Sequence, residues 1–456
     1  MRFPPERLLP LLMLFCLCGN SGVLAQTREE APPRDVLAST RISGNLLYFQ
    51  RDRERYAVDT RRFEKNLRHS TLQGQIDFST PYFIAEALGV ELGLFGSVDL
   101  ANPAGAPDHE ISFFPWDNPW SADWAKRDAK SGISLYRAHL KWQWLLANDG
   151  RGWGKLGYFQ PEGPGVLGVN WSLMPGTYAG AEGGITLGDW ALAAAYVTRY
   201  KAPWYRETYA FLDDEKRDRK RLWSLGARYR HAGLDAELAY GEAPGYLRSA
   251  HLKLAYTREN RSAGYQFYLM GDRDDSGSAN DHYDGRWGYQ HVLTYAQEAA
   301  PWNFRAEYSY SSAPARQPQH RGYFVYRLSG WYGGAKGAYD LWWDNRSDWN
   351  HDRESAVFFS LSRTLGDFGL PGASAGVSVV RGWNGRALNV AETLREKAWS
   401  LDLGYHFASG ALKGARVSLH YTHYDNATHQ PSWEGFKNLF QDERDVKLIM
   451  VLPWSR

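Results

Sequence analysis

The chain has 456 residues, 23% of them charged and 15% aromatic, with 53 Lys and Arg against 51 Asp and Glu for a formal charge of +2. So balanced a charge excludes a basic nucleic-acid binder. Mean hydropathy is -0.53, and after the first residues no apolar run approaches the eighteen or so residues of a membrane helix. A helical membrane protein is therefore excluded, whereas a wall of strands around a wet interior is not.

The chain opens on a targeting pattern. Arg2 and Arg7 precede an apolar run from Leu8 to Leu17, and Val23-Leu24-Ala25 offers small residues at a cleavage point. A run of about ten residues is too short to span a bilayer, so residues 1–25 are expected to be a removed signal peptide. A retained anchor is the alternative. Both cysteines, Cys16 and Cys18, fall in this segment, which leaves the mature chain without disulfides or thiolate metal sites. Export without disulfides in a long chain fits the Gram-negative envelope. Residues 26–40 are polar and predict a short periplasmic lead-in, with one barrel domain over residues 41–456.

Beyond Arg41 the dominant signal is alternation, which in a strand sends successive side chains to opposite faces. On the segment from Ile133 to Trp144, Tyr136, Ala138, Leu140, Trp142 and Trp144 share an outward face, and Arg137, His139 and Lys141 point inward. Next come an aromatic strand ending at Gln160-Pro161 and a Gly- and Pro-rich stretch with Trp171, Met174, Pro175 and Tyr178. Such a stretch cannot be regular structure, yet it is too apolar to lie flat in water. It is expected to fold into a barrel lumen as an inward third loop. Two strands meeting at Gly188-Asp189 close this unit.

Alternation recurs at Trp223, Leu225, Ala227 and Tyr229 against Ser224, Gly226, Arg228 and Arg230. Phe304, Ala306, Tyr308 and Tyr310 oppose Arg305, Glu307 and Ser309, and Val417, Leu419 and Tyr421 oppose Arg416, Ser418 and His420. The clearest case is Trp399 to Phe407, apolar at every odd position. Minimal turns (Gly188-Asp189, His231-Ala232-Gly233, Glu259-Asn260) alternate with long polar connections over Arg51 to Arg68, Asn102 to Lys130, Tyr205 to Lys220, Asp272 to Gly285 and Asn426 to Gln441. Short turns on one side and long loops on the other mark an outer-membrane barrel. The pass gives about twenty strand-like segments, the last from Asp445 to Trp454. A large soluble β protein, such as a carbohydrate-active enzyme, is the competing class.

Several strings carry a resemblance. Lys130-Ser131-Gly132-Ile133-Ser134-Leu135-Tyr136, Trp171-Ser172-Leu173-Met174-Pro175-Gly176-Thr177-Tyr178 and Tyr200-Lys201-Ala202-Pro203-Trp204 resemble the OprD-type outer-membrane porin family. Trp342 to Asp348 and Phe440 to Lys447 are similar to its chitoporin branch. The likeness covers nearly the whole mature chain. It implies an all-β, transmembrane, antiparallel up-and-down barrel of about eighteen strands, with sixteen or twenty as alternatives. It also implies a monomer, an inward third loop, a basic ladder along the lumen and passive uptake of small solutes. Chitooligosaccharides are the solute that branch implies; basic amino acids, peptides or organic acids are the alternative. Outer-membrane lipid, lipopolysaccharide and the barrel-assembly machinery are the expected partners, with no cofactor and no nucleic acid.

Two sets of residues are candidates for the solute path. By the alternation rule Arg137, His139, Lys141, Arg228, Arg230, Lys253, Arg305, Arg327 and Arg416 face inward as a basic track, able to attract polar or anionic groups. Ordinary lumen residues paired with acids such as Glu307 or Asp402 are the plainer reading. The second set is aromatic, because pyranose C–H faces stack on Trp and Tyr while hydroxyls bond to Arg, Asp and Asn. It comprises Trp171 and Tyr178 in the third loop, Trp204 at the fourth, Trp342 beside Asp344 and Arg346, and Trp120 with Asn118 in the second. No nucleophile elbow or spaced His–Glu metal motif is present, so an outer-membrane hydrolase is a remote reading. Asp272-Arg273-Asp274-Asp275 lacks the glycine and glutamate of a calcium loop; it and Asp213-Asp214 are expected to be solvated loop tips.

Overall fold

The structure is a computed structural model describing residues 39–57, 60–101, 131–147, 149–169, 174–203, 205–330, 335, 337–428, 436–437 and 439–455. Among them run eighteen strands: β1 Arg41–Ala57, β2 Arg62–Ser79, β3 Leu88–Ala101, β4 Gly132–Leu145, β5 Arg151–Phe159, β6 Thr177–Leu187, β7 Trp190–Lys201, β8 Leu222–His231, β9 Leu234–Ala243, β10 Leu247–Arg258, β11 Arg261–Asp272, β12 Trp287–Ala299, β13 Trp302–Ser312, β14 Ser355–Thr364, β15 Ala373–Gly385, β16 Leu394–His406, β17 Arg416–Asn426 and β18 Glu443–Ser455. Each pairs antiparallel with its sequence neighbours, and β1 pairs with β18 from Ser43↔Ser455 to Arg55↔Glu443. The sheet therefore closes and has no free edge, as hydrocarbon demands of a strand-built wall.

Burial is inverted relative to a water-soluble sandwich. On β16, Leu403 is 54% exposed while Ser400 is 0% exposed. Leu238, Leu293, Val377 and Val379 are likewise exposed, and Thr71, Ser309 and Ser311 are fully buried. Following the register around the wall, Glu237, Lys253, Gln266, Val292, Ser309, Ala356 and Gly382 stand directly opposite one another on successive strands and so share the inner face. An apolar band this continuous, turned outward, belongs against lipid. Aromatic pairs stand near the ends of that band: Trp190 and Tyr229 (4.9 Å) beside the Gly188-Asp189 turn, and Trp223 and Tyr240 (5.5 Å) near the opposite end.

Turns on one side are tight. Ala232 (φ 47°) and Gly233 (φ 87°) join β8 to β9 in two residues with both dihedrals positive, the hairpin geometry whose twist matches that of the strands. On the other side the long connections turn back into the barrel. The main apolar core therefore lies inside the wall, among Phe159, Val166, Tyr178, Tyr205, Phe211, Phe324, Leu341, Trp343 and Trp349.

Two expectations about the wall are corrected. Arg51 to Arg68 is not a long loop: β1 runs to Ala57 and β2 begins at Arg62. On β4, Tyr136 does not face outward with Ala138 and Leu140. The pairing shifts between Gly93↔Arg137 and Leu94↔Leu135, so Tyr136 is a bulged residue. A bulge places two consecutive side chains on one face. Tyr136 is accordingly buried at 1% exposure, with its hydroxyl on Asp77 and Gln75, next to inward Arg137.

Candidate functional site

Two inward loops define the lumen. The third, between β5 and β6, lies against the inner wall over residues 160–169, where that wall is bare. A Cβ on Gly226 would sit 2.3 Å from the Pro164 carbonyl oxygen, and one on Gly241 would sit 2.3 Å from Val166. Ser224 between them on the inner face accepts the Val166 N–H at 2.8 Å. Glu182 similarly accepts the Gly163 N–H at 2.9 Å. The loop stays inside because its backbone donors find partners on the wall and its apolar side chains join the core.

The second is the seventh loop, residues 313–354 between β13 and β14, which the sequence reading did not single out. Its Trp343 lies parallel to Phe358 of the wall and donates Nε1–H to Glu307 at 2.7 Å. Asn345 donates to Ser400 (2.6 Å) and Ser378 (3.1 Å), both on the inner face. Lys253 reaches Asp340 at 2.6 Å, and Lys447 pairs with Asp344. The two loops join: Leu167 bridges Gly337, and the Ala338 N–H donates to the Val166 carbonyl at 2.7 Å. Segments about 170 residues apart in sequence thus meet as one structure across the lumen.

Among the aromatic candidates, Trp120, Trp171 and Trp204, with Asn118, lie outside the described residues. Tyr178 is on β6 rather than in the third loop. It is fully buried, with its hydroxyl on the Gly168 carbonyl, and so offers no face for stacking. Trp342 is 62% exposed. It lies between buried Leu341 and the wall-seated Trp343, near Tyr326 and Tyr339, whose rings stack at 5.0 Å and 6°.

The basic candidates split by environment. Arg137, His139 and Lys141 stand together on β4 around Glu91, at 3.6, 3.6 and 3.0 Å. Arg228 and Arg230 share Asp235, and Lys253 holds Asp340. Arg305 pairs with Glu307 and lies over Phe358. Arg416, opposite Val451 at the inner mouth, forms no ion pair among the described residues. Arg327 is not on a strand; it belongs to the seventh loop, 5.8 Å from the Tyr326 ring. Most of these charges are matched by a carboxylate, which is the plainer of the two readings of the sequence.

A second basic group lines the closing seam. Arg51, Arg53, Arg55 and Lys447 face inward from β1 and β18, joined by Arg346 of the seventh loop. Arg51 reaches Asp445; Arg55 (3.0 Å), Arg346 (3.1 Å) and Arg53 (3.8 Å) surround Glu443; Lys447 bridges Asp445 and Asp344. His420 stands nearby, between Asp344 and Asp402. Arg346 also lies 4.1 Å from the Phe440 ring. Arg51, Arg53 and Arg55 escaped the sequence reading because the stretch was taken as loop; once it is a strand, their i, i+2 spacing puts them on one face.

The expectation of solvated tips is corrected at Asp213 and Asp272, whereas Arg273 and Asp275 are exposed. Asp213 and Asp272 are fully buried. Asp213 holds Arg217 and Arg219, and Asp272 accepts the N–H groups of His282 and Tyr283. Asp214 accepts from Tyr246 (2.9 Å), His282 (2.6 Å) and Arg321 (2.7 Å). Burial alone would raise its pKa, but the hydrogen bond from His282 and the Arg321 charge hold it well below the ordinary carboxylate range. These clusters tie the fourth, sixth and seventh loops together over the lumen.

A closed antiparallel barrel with an even strand number, an apolar outside, a polar inside and loops folded into it is a porin-type channel. The family model described as outer membrane porin, OprD family, matches residues 155–455. The chain belongs to that family, and is thus an outer-membrane channel for small solutes. It is 35% identical over 478 residues to the chitoporin of Escherichia coli (strain K12), with 99% of each chain covered. Among solved structures it is similar to Pseudomonas aeruginosa OccK9 (OpdG), with TM-score 0.72, 16% identity and 92% of this chain against 100% of that one. Acinetobacter baumannii OccAB1 gives TM-score 0.70 at 16% identity, covering 91% and 96%. P. aeruginosa OpdK with vanillate gives 0.67 at 15%, covering 92% and 99%. At these identities the solved structures speak for the fold alone.

Proposed function

We propose that this channel admits chitooligosaccharides by passive diffusion. The observation that carries the reading is Trp342, an exposed ring held inside the barrel by wall-anchored neighbours. Asp344, His420, Lys447 and Arg346 lie close along the chain or the facing wall, where sugar hydroxyls and amides would find partners. Full-length likeness to a chitoporin supports the same solute class. Trp120, Trp171 and Trp204 extend the proposed aromatic path, and the inward basic residues from Arg137 to Arg416 its polar side. No bond is made or broken; the concentration gradient supplies the drive.

A second reading, with basic amino acids, peptides or organic acids as solutes, has one observation in its favour. The clustering of Arg51, Arg53, Arg55, Arg346 and Lys447 beside Glu443 and Asp445 would favour acidic solutes over basic ones. Within either reading the chain is exported by a signal peptide cleaved near Gln26, with residues 26–40 as a periplasmic lead-in. It is inserted by the barrel-assembly machinery and works as a monomer amid lipid and lipopolysaccharide. Single-channel recording of the purified protein decides between solutes. Concentration-dependent block by chitohexaose, without block by arginine or an aromatic acid, is expected; the reverse order would overturn the sugar assignment.

A further inference from the structure

Where the seventh loop returns to the wall, His351 and Glu354 meet Glu396 at the outer end of β16. All three are buried at 1% exposure or less. One ligand atom from each lies within 4.8 Å of the others. Some of their atoms have partners: His351 N–H and Nδ1 contact Glu354 Oε2 at 3.0 and 3.2 Å, and the Tyr424 hydroxyl donates to Glu396 Oε2. Of the atoms that remain, His351 Nε2 is buried without a hydrogen-bond partner, while the Glu354 and Glu396 carboxyls face each other within hydrogen-bond reach. Among the described residues neither carboxylate has a Lys or Arg within ion-pairing distance; His351 is the sole basic neighbour of Glu354. Two buried carboxylates side by side with no fixed cation are costly unless something positive stands between them.

The wall is shaped for this group. Gly382 of β15 lies directly opposite Glu396, and a Cβ there would be 2.3 Å from Glu354 Oε1. The missing side chain leaves the room that the Glu354 carboxylate occupies. One imidazole nitrogen and two carboxylate oxygens form a donor set suited to a divalent transition metal rather than to calcium, which takes six or more oxygens.

We propose that His351, Glu354 and Glu396 bind one divalent transition-metal cation of the zinc type, stapling the seventh loop to the barrel wall. Ligand bonds of about 2.0–2.2 Å require the three donors to contract by roughly an ångström, a movement side-chain rotation supplies.

The test uses full-length folded protein in detergent, freed of any histidine tag and stripped with a chelator. Zinc equivalents are counted by mass spectrometry after equilibrium dialysis. The expected result is one equivalent more in the wild type than in Glu354→Gln, with a zinc-induced rise in melting temperature that the variant lacks. Asp281, Asp284 and His320 form a second acidic group with a histidine; it is present in both proteins and cancels in the difference. Where Glu354→Gln loses the heat-modifiable mobility of a folded barrel, His351→Asn takes its place. Equal zinc content in wild type and variant overturns the proposal, as does calcium binding as tightly as zinc.

Discussion

Trp343 and Phe358 lie with ring centroids 5.4 Å apart and planes 7° from parallel. This pair seats the seventh loop on the inner wall, and the Trp343 Nε1–H bond to Glu307 fixes its orientation. Trp343→Ala removes the ring and leaves Glu307 short of a donor. A loss of about 3–5 kcal/mol in local docking is expected. Because the wall does not depend on the loop, the barrel's heat-modifiable mobility should persist while protease cleavage between residues 313 and 354 accelerates. Unchanged cleavage would show that the ring does not hold the loop.

The third loop rests on bare wall. Gly226→Val places atoms where the Pro164 carbonyl now lies. The loop must move off the wall and toward the barrel axis, at a cost of about 1–3 kcal/mol. Lower single-channel conductance is the expected result. Conductance equal to the wild type would mean the loop does not set the bore.

Glu443 is the acid on which three guanidinium groups converge at the β1–β18 seam. Glu443→Gln removes the carboxylate that Arg53, Arg55 and Arg346 share. Breaking a buried pair from one side costs roughly 3–5 kcal/mol, so the thermal transition of the barrel should fall markedly. Arg55→Gln, on the more exposed partner, should cost far less. A comparison of the two melting curves checks the order.

Asp214 supplies a pH dependence. Its carboxyl is depressed in the folded chain, against an ordinary value of about 3.9 unfolded. It therefore contributes stability that is present above about pH 4 and lost as pH falls through the lower, folded value. Docking of the fourth, sixth and seventh loops should weaken in that acid range, read as faster limited proteolysis by an acid-active protease. Asp214→Asn should be weakened already at neutral pH and should lack the Asp214 part of the acid loss.

Trp342 tests the sugar path directly. Trp342→Ala should weaken chitohexaose block of single-channel current about tenfold, or roughly 1.4 kcal/mol. The conductance in salt alone should change little, because Trp343 and Asn345 still hold the loop. An unaltered block would remove Trp342 from the path.

The parts of this molecule that were legible in the sequence are those where one face meets hydrocarbon. Trp399 to Phe407 reads as a strand because lipid demands an apolar side chain at every second position. The upper β1–β2 hairpin gives no such signal. Arg51, Arg53 and Arg55 point inward, but Asp52 and Glu54 on the other face meet Lys65 in solvent, so both faces are charged and the pattern looks like a loop. Tyr136 was misplaced because one bulged residue inverts the parity that the alternation rule counts. The seventh loop was missed for a different reason. Its anchors, Gln290, Glu307, Ser378, Ser400 and Lys447, are scattered over five strands, and no local window contains them.

The bridge between Leu167 and Gly337 makes the third and seventh loops a single crossbeam. A lengthened or shortened segment at either end would drag the other with it, so the aperture cannot be retuned by editing one stretch alone. Selection for a new cargo would leave paired changes near these two places and little trace in the strands between.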